Sequence, residues 1–126
     1  LGVNPSHRRS MLMNLAKNLI KHKRIKTTDS RAKALREYIE PLVTKAKKGD
    51  LTSRRMVLRK LHKDATQTLF DEIGPAVADR PGGYTRIIKL GFRASDSAAV
   101  SLIEFVDFEG GGTVVETKNE EVESTE

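Results

Sequence analysis

"RPGGYTRI", residues 80 to 87, sets a Pro-Gly-Gly corner between two arginines and runs straight into a β-branched segment. Glycines in that position read as a turn needing positive φ, because glycine lacks the Cβ that penalises the left-handed region. A phosphate-binding loop has the reverse order: a strand, then G-x-x-x-x-G-K-[ST], then a helix whose first N–H groups meet the phosphate. No helical pattern follows Gly83, so the stretch is a corner that opens a strand. A nucleotide-using enzyme loses its loop by this reading, while Arg80 and Arg86 stay available as phosphate contacts.

Downstream of the corner, "YTRIIKL" and "AVSLIEFV" are apolar and β-branched, and the turn-rich "RASDSA" between them predicts an antiparallel hairpin with a long loop. Upstream the pattern is helical. Asn4-Pro5-Ser6 is a helix start, and Leu12, Leu15, Ala16, Leu19 and Ile20 share one side of the helix that follows. "IKTT", residues 25 to 28, predicts a short strand, after which Thr28, Asp29 and Ser30 offer caps for a second helix. Its stripe of Leu35, Ile39, Leu42, Val43 and Ala46 stays in phase past Pro41, which predicts one kinked helix ended by Gly49. A third helix buries Val57, Leu58 and Leu61. A fourth, capped by Asp64, turns Leu69, Phe70 and Ile73 inward before Gly74-Pro75 stops it.

The expected fold is therefore α+β in two layers: about four helices on a small three-stranded mixed sheet, in the order α-β-α-α-α-β-β. A length of 126 residues suits one core. That domain is read as residues 1–108, followed by a Gly-rich, then acidic, tail at 109–126.

Charge is distributed unevenly. Residues 1–63 hold 18 Lys/Arg against 4 Asp/Glu, residues 64–108 hold 4 against 7, and residues 109–126 hold 1 against 6. So cationic a first half suits a polyanion, and nucleic acid is the common one. The alternatives are a solvated basic face, or an adaptor for an acidic protein. The absence of cysteine excludes disulfides and thiolate chemistry and fits a reducing compartment. Apolar runs are short and interrupted by charge, giving neither a transmembrane helix nor a signal-peptide core.

Catalytic patterns are missing. His7, His22 and His62 are scattered without metal-ligand spacing, Ser6-His7 has no carboxylate nearby in sequence, and Asp71 and Glu72 point apart on a helix. No cofactor, metal or small-molecule substrate is expected. Cations cluster instead as Arg8-Arg9, Lys21 to Lys26, Arg31-Lys33-Arg36, Lys45-Lys47-Lys48 and Arg54-Arg55-Arg59-Lys60. Many charges over a broad surface are what phosphate neutralisation requires. The six aromatics are Tyr38, Phe70, Tyr84, Phe92, Phe105 and Phe108; most belong in the core, and Tyr84, between Arg80 and Arg86, is the candidate for base stacking.

"SHRRSMLMNLAKNLIKHKRIKTT", "AKALREYIEPLVTKAKKGD", "LFDEIGPAVADRPGGYTRIIKLGFRASDSA" and "LIEFVD" closely resemble the bacterial large-subunit ribosomal protein seventeen (L-seventeen) family, from about Ser6 to Asp107. The most specific element is R-x-GGYTRI followed by GFR. The resemblance implies the same α-β-α-α-α-β-β order and a non-catalytic component of the large ribosomal subunit, in a cytoplasmic or organellar ribosome. Its partners would be large-subunit ribosomal RNA and neighbouring proteins, among them large-subunit protein thirty-two. The RNA contacts expected on this basis are His7, Arg8, Arg9, Lys17, Lys21, Lys23, Arg24, Lys26, Arg31, Lys33, Arg36, Arg54, Arg55, Arg59, Arg80, Tyr84, Arg86 and Arg93. Family members usually carry a basic stretch ahead of the position of Leu1, and the acidic tail extends past the family's common end.

Overall fold

The computed structural model describes residues 4 to 106 and the backbone of Val115–Glu116. Helix α1 (Pro5–His22) begins as its sequence dictates: Asn4 caps it by accepting the His7 N–H at 2.8 Å, with Pro5 at the first helical position. It ends at Lys23, whose left-handed φ of 72° turns the chain into strand β1 (Arg24–Thr28). Thr28 then caps α2 (Asp29–Lys48), which continues through Pro41 and stops at Gly49 with φ 73°. All ten apolar residues predicted for the stripes of these two helices are buried.

The third helical region departs from expectation. Helix α3 (Leu51–Thr68) is broken at His62, where φ is 63° and ψ −170°, two residues before the predicted cap Asp64. The chain resumes helical form at once and passes into a π turn, Leu69–Ile73, and the separate fourth helix is the three-residue α4 (Gly74–Ala76). Gly74 is therefore not a stop. Its backbone is helical, and a Cβ there would lie 3.1 Å from the Ala46 carbonyl oxygen, so glycine permits α2 to pass close. Leu58 is also corrected: it is partly exposed, because the buried stripe of Ser53, Val57, Leu61 and Ala65 advances by four residues and leaves Leu58 round the side.

The sheet has the order β2-β3-β1-β4, with β2 (Thr85–Phe92) and β3 (Ala99–Phe105) forming the predicted hairpin. The three longer strands are antiparallel, and the sheet is mixed only through β4 (Val115–Glu116), which lies parallel to β1. This pair falls inside the stretch read as a tail; the rest of 109–126, and Phe108, lie outside the described residues. One sheet face, carrying Ile25, Ile87 and Ile103, packs on the helices around a core that includes Leu15, Leu19, Leu35, Ile39, Leu61 and Leu69. No helix among the described residues is long and apolar enough to cross a membrane.

Candidate nucleic-acid interface

The Pro-Gly-Gly corner is held by α2. Glu40, Thr44 and Lys47 occur at spacings of four and three, which puts them on one side of that helix. The Glu40 carboxylate accepts hydrogen bonds from the Tyr84 N–H at 3.3 Å, the Thr85 N–H at 3.0 Å and the Thr85 hydroxyl at 2.8 Å. Thr44 shares a 3.2 Å hydrogen bond with the Tyr84 hydroxyl, and the Lys47 ammonium donates to that hydroxyl at 3.2 Å and to the Arg80 carbonyl. Lys47 also lies 5.0 Å from the Tyr84 ring centre. The Thr44 hydrogen bond first, and Lys47 with it, draw the Tyr84 phenol below its ordinary pKa.

These contacts overturn one expectation. Tyr84 is only 2% exposed, so its ring is a core element and has no face for a base. Phe92, by contrast, stands outside the core, 78% exposed at the end of β2.

The predicted cations divide into two groups. Several are used by the fold. Glu104 lies between Arg86, at 2.8 Å, and Arg24, at 3.6 Å, on the sheet face away from the helices. Lys23 pairs with Glu72 at 3.2 Å and donates to the Ile20 carbonyl, closing the end of α1. Lys33 pairs with Asp29 at 3.1 Å. Arg93 grips Asp96 through two nitrogens, while Asp96 also accepts the Ala98 N–H, so this arginine braces the hairpin loop. Arg54 is half-buried over the Phe70 ring at 5.1 Å.

The second group faces solvent. Arg9 and Lys21 on α1, Arg36 on α2, and Arg55 and Arg59 on α3 are exposed and make no ion pair among the described residues. Arg8 and Lys17 are half-exposed on α1, as are His7, Lys26 on β1 and Arg31 on α2, while Arg80 is exposed ahead of the corner. A cleft of about 400 Å³ between α1 and α3 brings Lys17, Lys21 and Lys23 together on one side, with Asp64 and Glu72 opposite. Burial first, then Lys21 and Lys23, hold the neighbouring His22 imidazole below its ordinary value of 6.5. Three helices thus present long-stemmed cations on faces turned away from one core. No group of acidic, histidine or cysteine side chains suited to a metal ion occurs among the described residues.

The fold is a small two-layer α+β domain whose exposed positive charge is carried on the outer faces of its helices. The family model for ribosomal protein L17 matches residues 11–106. The chain is 50% identical over 127 residues to the large ribosomal subunit protein bL17 of Rickettsia africae (strain ESF-5), covering 98% of this chain and 93% of that protein. It is 56% identical over 108 residues to the bL17 of Rickettsia canadensis (strain McKiel), across 85% of this chain and 79% of that protein. The bL17 of Parabacteroides distasonis (strain ATCC 8503) is 55% identical over 109 residues, across 86% of this chain and 68% of that protein. The chain belongs to the ribosomal protein L17 family.

Proposed function

We propose that this chain is a structural component of the large ribosomal subunit that binds ribosomal RNA by its phosphates, supports subunit assembly and has no catalytic role. The observation that carries the reading is the set of exposed cations without ion pairs among the described residues, Arg9, Lys21, Arg36, Arg55 and Arg59, spread over three helices of a chain in this family. Each neutralised phosphate releases counterions, so a broad set of separate cations suits RNA better than one compact acidic protein patch. His7, Arg8, Lys17, Lys26, Arg31 and Arg80 extend this surface. Arg24, Lys23, Lys33, Arg54, Arg86 and Arg93 first serve the fold and touch RNA only through hydrogen-bonding capacity left over. Neighbouring large-subunit proteins, protein thirty-two among them, are its protein partners in this reading.

The test is sedimentation of the tagged chain from an extract through a high-salt gradient, with and without ribonuclease. Cosedimentation with large subunits that disappears on nuclease treatment is the expected result. A partner that survives nuclease makes the chain an adaptor for an acidic protein instead.

A further inference from the structure

Phe92 is unexplained by phosphate binding, and the backbone decides what it faces. Along β2, Ile88 pairs with Leu102 and Lys89 with Ser101; the register then slips, so that Gly91 pairs with Val100 and Phe92 with Ala99. Simple alternation from Ile88 would carry Phe92 to the outer face, away from the helices. The extra residue at Leu90 returns it to the helix side, the face of Lys89 and Ser101, and Gly91 at φ 99° makes the bend.

There the hairpin end and the first turn of α2 enclose a cleft of about 170 Å³, lined by Asp29, Lys89, Gly91, Phe92, Val100 and Ser101. Its size suits one ring system, since pockets for drug-sized ligands begin at roughly 300 Å³. Its chemistry is mixed: an exposed phenyl ring, an exposed ammonium and a carboxylate. Asp29 Oδ1 accepts from the Ser101 hydroxyl at 2.7 Å, and Oδ2 meets Lys33 at 3.1 Å. A carboxylate has about four acceptor positions, so two remain for a further donor.

We propose that this cleft takes a single unpaired RNA base, stacked on Phe92, with an N–H donor of its edge on Asp29 and its phosphate beside Lys89. The site rests on the RNA-binding reading above and deepens it. An apolar protein side chain would match the ring but would strip water from Asp29 and Lys89 with nothing in return. A nucleotide offers a π face, N–H donors and an anion within one unit, which is the combination that single-strand readers use.

The chain has no tryptophan, so Phe92→Trp is a unique fluorescent probe of the cleft. Its emission is followed while large-subunit ribosomal RNA is added to the full chain, and filter binding is measured in parallel for the wild type, Phe92→Trp and Phe92→Ala. Quenching of the tryptophan is expected, with about a tenfold affinity loss for Phe92→Ala and an unchanged salt slope, because stacking is not electrostatic. RNA that binds wild type and Phe92→Ala equally, leaving the tryptophan emission unmoved, overturns the base site and leaves the phosphate reading standing. Failure of the wild type to bind RNA removes both.

Discussion

The Thr85 N–H and the Thr85 hydroxyl both donate to the same oxygen of Glu40, Oε2, at 3.0 and 2.8 Å, joining residues 45 apart in the chain. With the Tyr84 N–H on Oε1, one carboxylate satisfies three donors where the corner becomes a strand. Glu40→Ala is expected to destabilise the fold by about 2 kcal/mol or more, because the backbone donors lose their acceptor in a part-buried place. Thr85→Val removes the hydroxyl hydrogen bond alone and should cost about 1 kcal/mol. Urea unfolding midpoints check the order; equal midpoints for Glu40→Ala and wild type would show that the clamp does not stabilise the corner.

Glycines 74, 82 and 83 should respond differently to alanine. At Gly74 the new methyl meets Ala46 backbone and side-chain atoms at 3.1 to 3.3 Å, an overpacking worth about 2 kcal/mol. Gly83 has open space but a φ of 62°, so Gly83→Ala costs about 1 kcal/mol through the left-handed backbone. Gly82 has open space and no such φ, and Gly82→Ala should stay within about 0.5 kcal/mol of wild type. Thermal melts of the three variants test the ranking.

Charge reversal separates the two groups of cations. Arg55→Glu with Arg59→Glu should weaken RNA binding and lower the slope of log affinity against log salt by about 0.7 to 0.9 for each phosphate that is no longer neutralised. Arg93→Gln should leave that slope unchanged, since Arg93 is engaged with Asp96. Titrations at several salt concentrations decide it, and an unchanged slope in the double variant would remove α3 from the RNA surface.

His22 supplies a pH signature. Its pKa is depressed in the folded chain, so the unfolded chain takes up the proton at higher pH. Stability is therefore fully kept above the ordinary histidine range and declines as pH falls through 6.5 toward the depressed value. RNA phosphates beside Lys21 and Lys23 would cancel the repulsion from those two cations and raise the imidazole pKa. Proton NMR titration of His22 should show an upward shift on RNA binding, with affinity increasing as pH falls. No shift would mean that the end of α1 stays clear of RNA.

Helices α1 and α2 were legible in the sequence because their signals are local: Asn4, Thr28 and Gly49 act within a turn of themselves, and the apolar stripes repeat along one segment. The corner at Gly82-Gly83 and the hairpin were legible for the same reason. What escaped depends on distant partners. Gly74 resembles a helix stop until Ala46 is placed against it, and Tyr84 looks exposed between arginines until Thr44 and Lys47 reach its hydroxyl. The Glu40, Thr44, Lys47 spacing was a usable sign of a polar seam on α2. Phe92 depends on a one-residue slip whose position only the paired strand reveals. Among the candidate RNA-binding residues, sequence charge located the basic helices but not which cations Glu72, Asp96 and Glu104 would occupy.

The pairing of Thr28 with Val100, 72 positions later, sets a schedule for biosynthesis. At about 5 to 20 residues per second, β1 waits roughly 4 to 14 seconds after it is made before its neighbour β3 exists. The basic helices α1, α2 and most of α3 leave the synthesising machinery within that interval, ahead of any complete sheet. A nascent chain therefore displays the basic faces of its helices before it has a finished core, and the β2–β3 hairpin closes against β1 only after them.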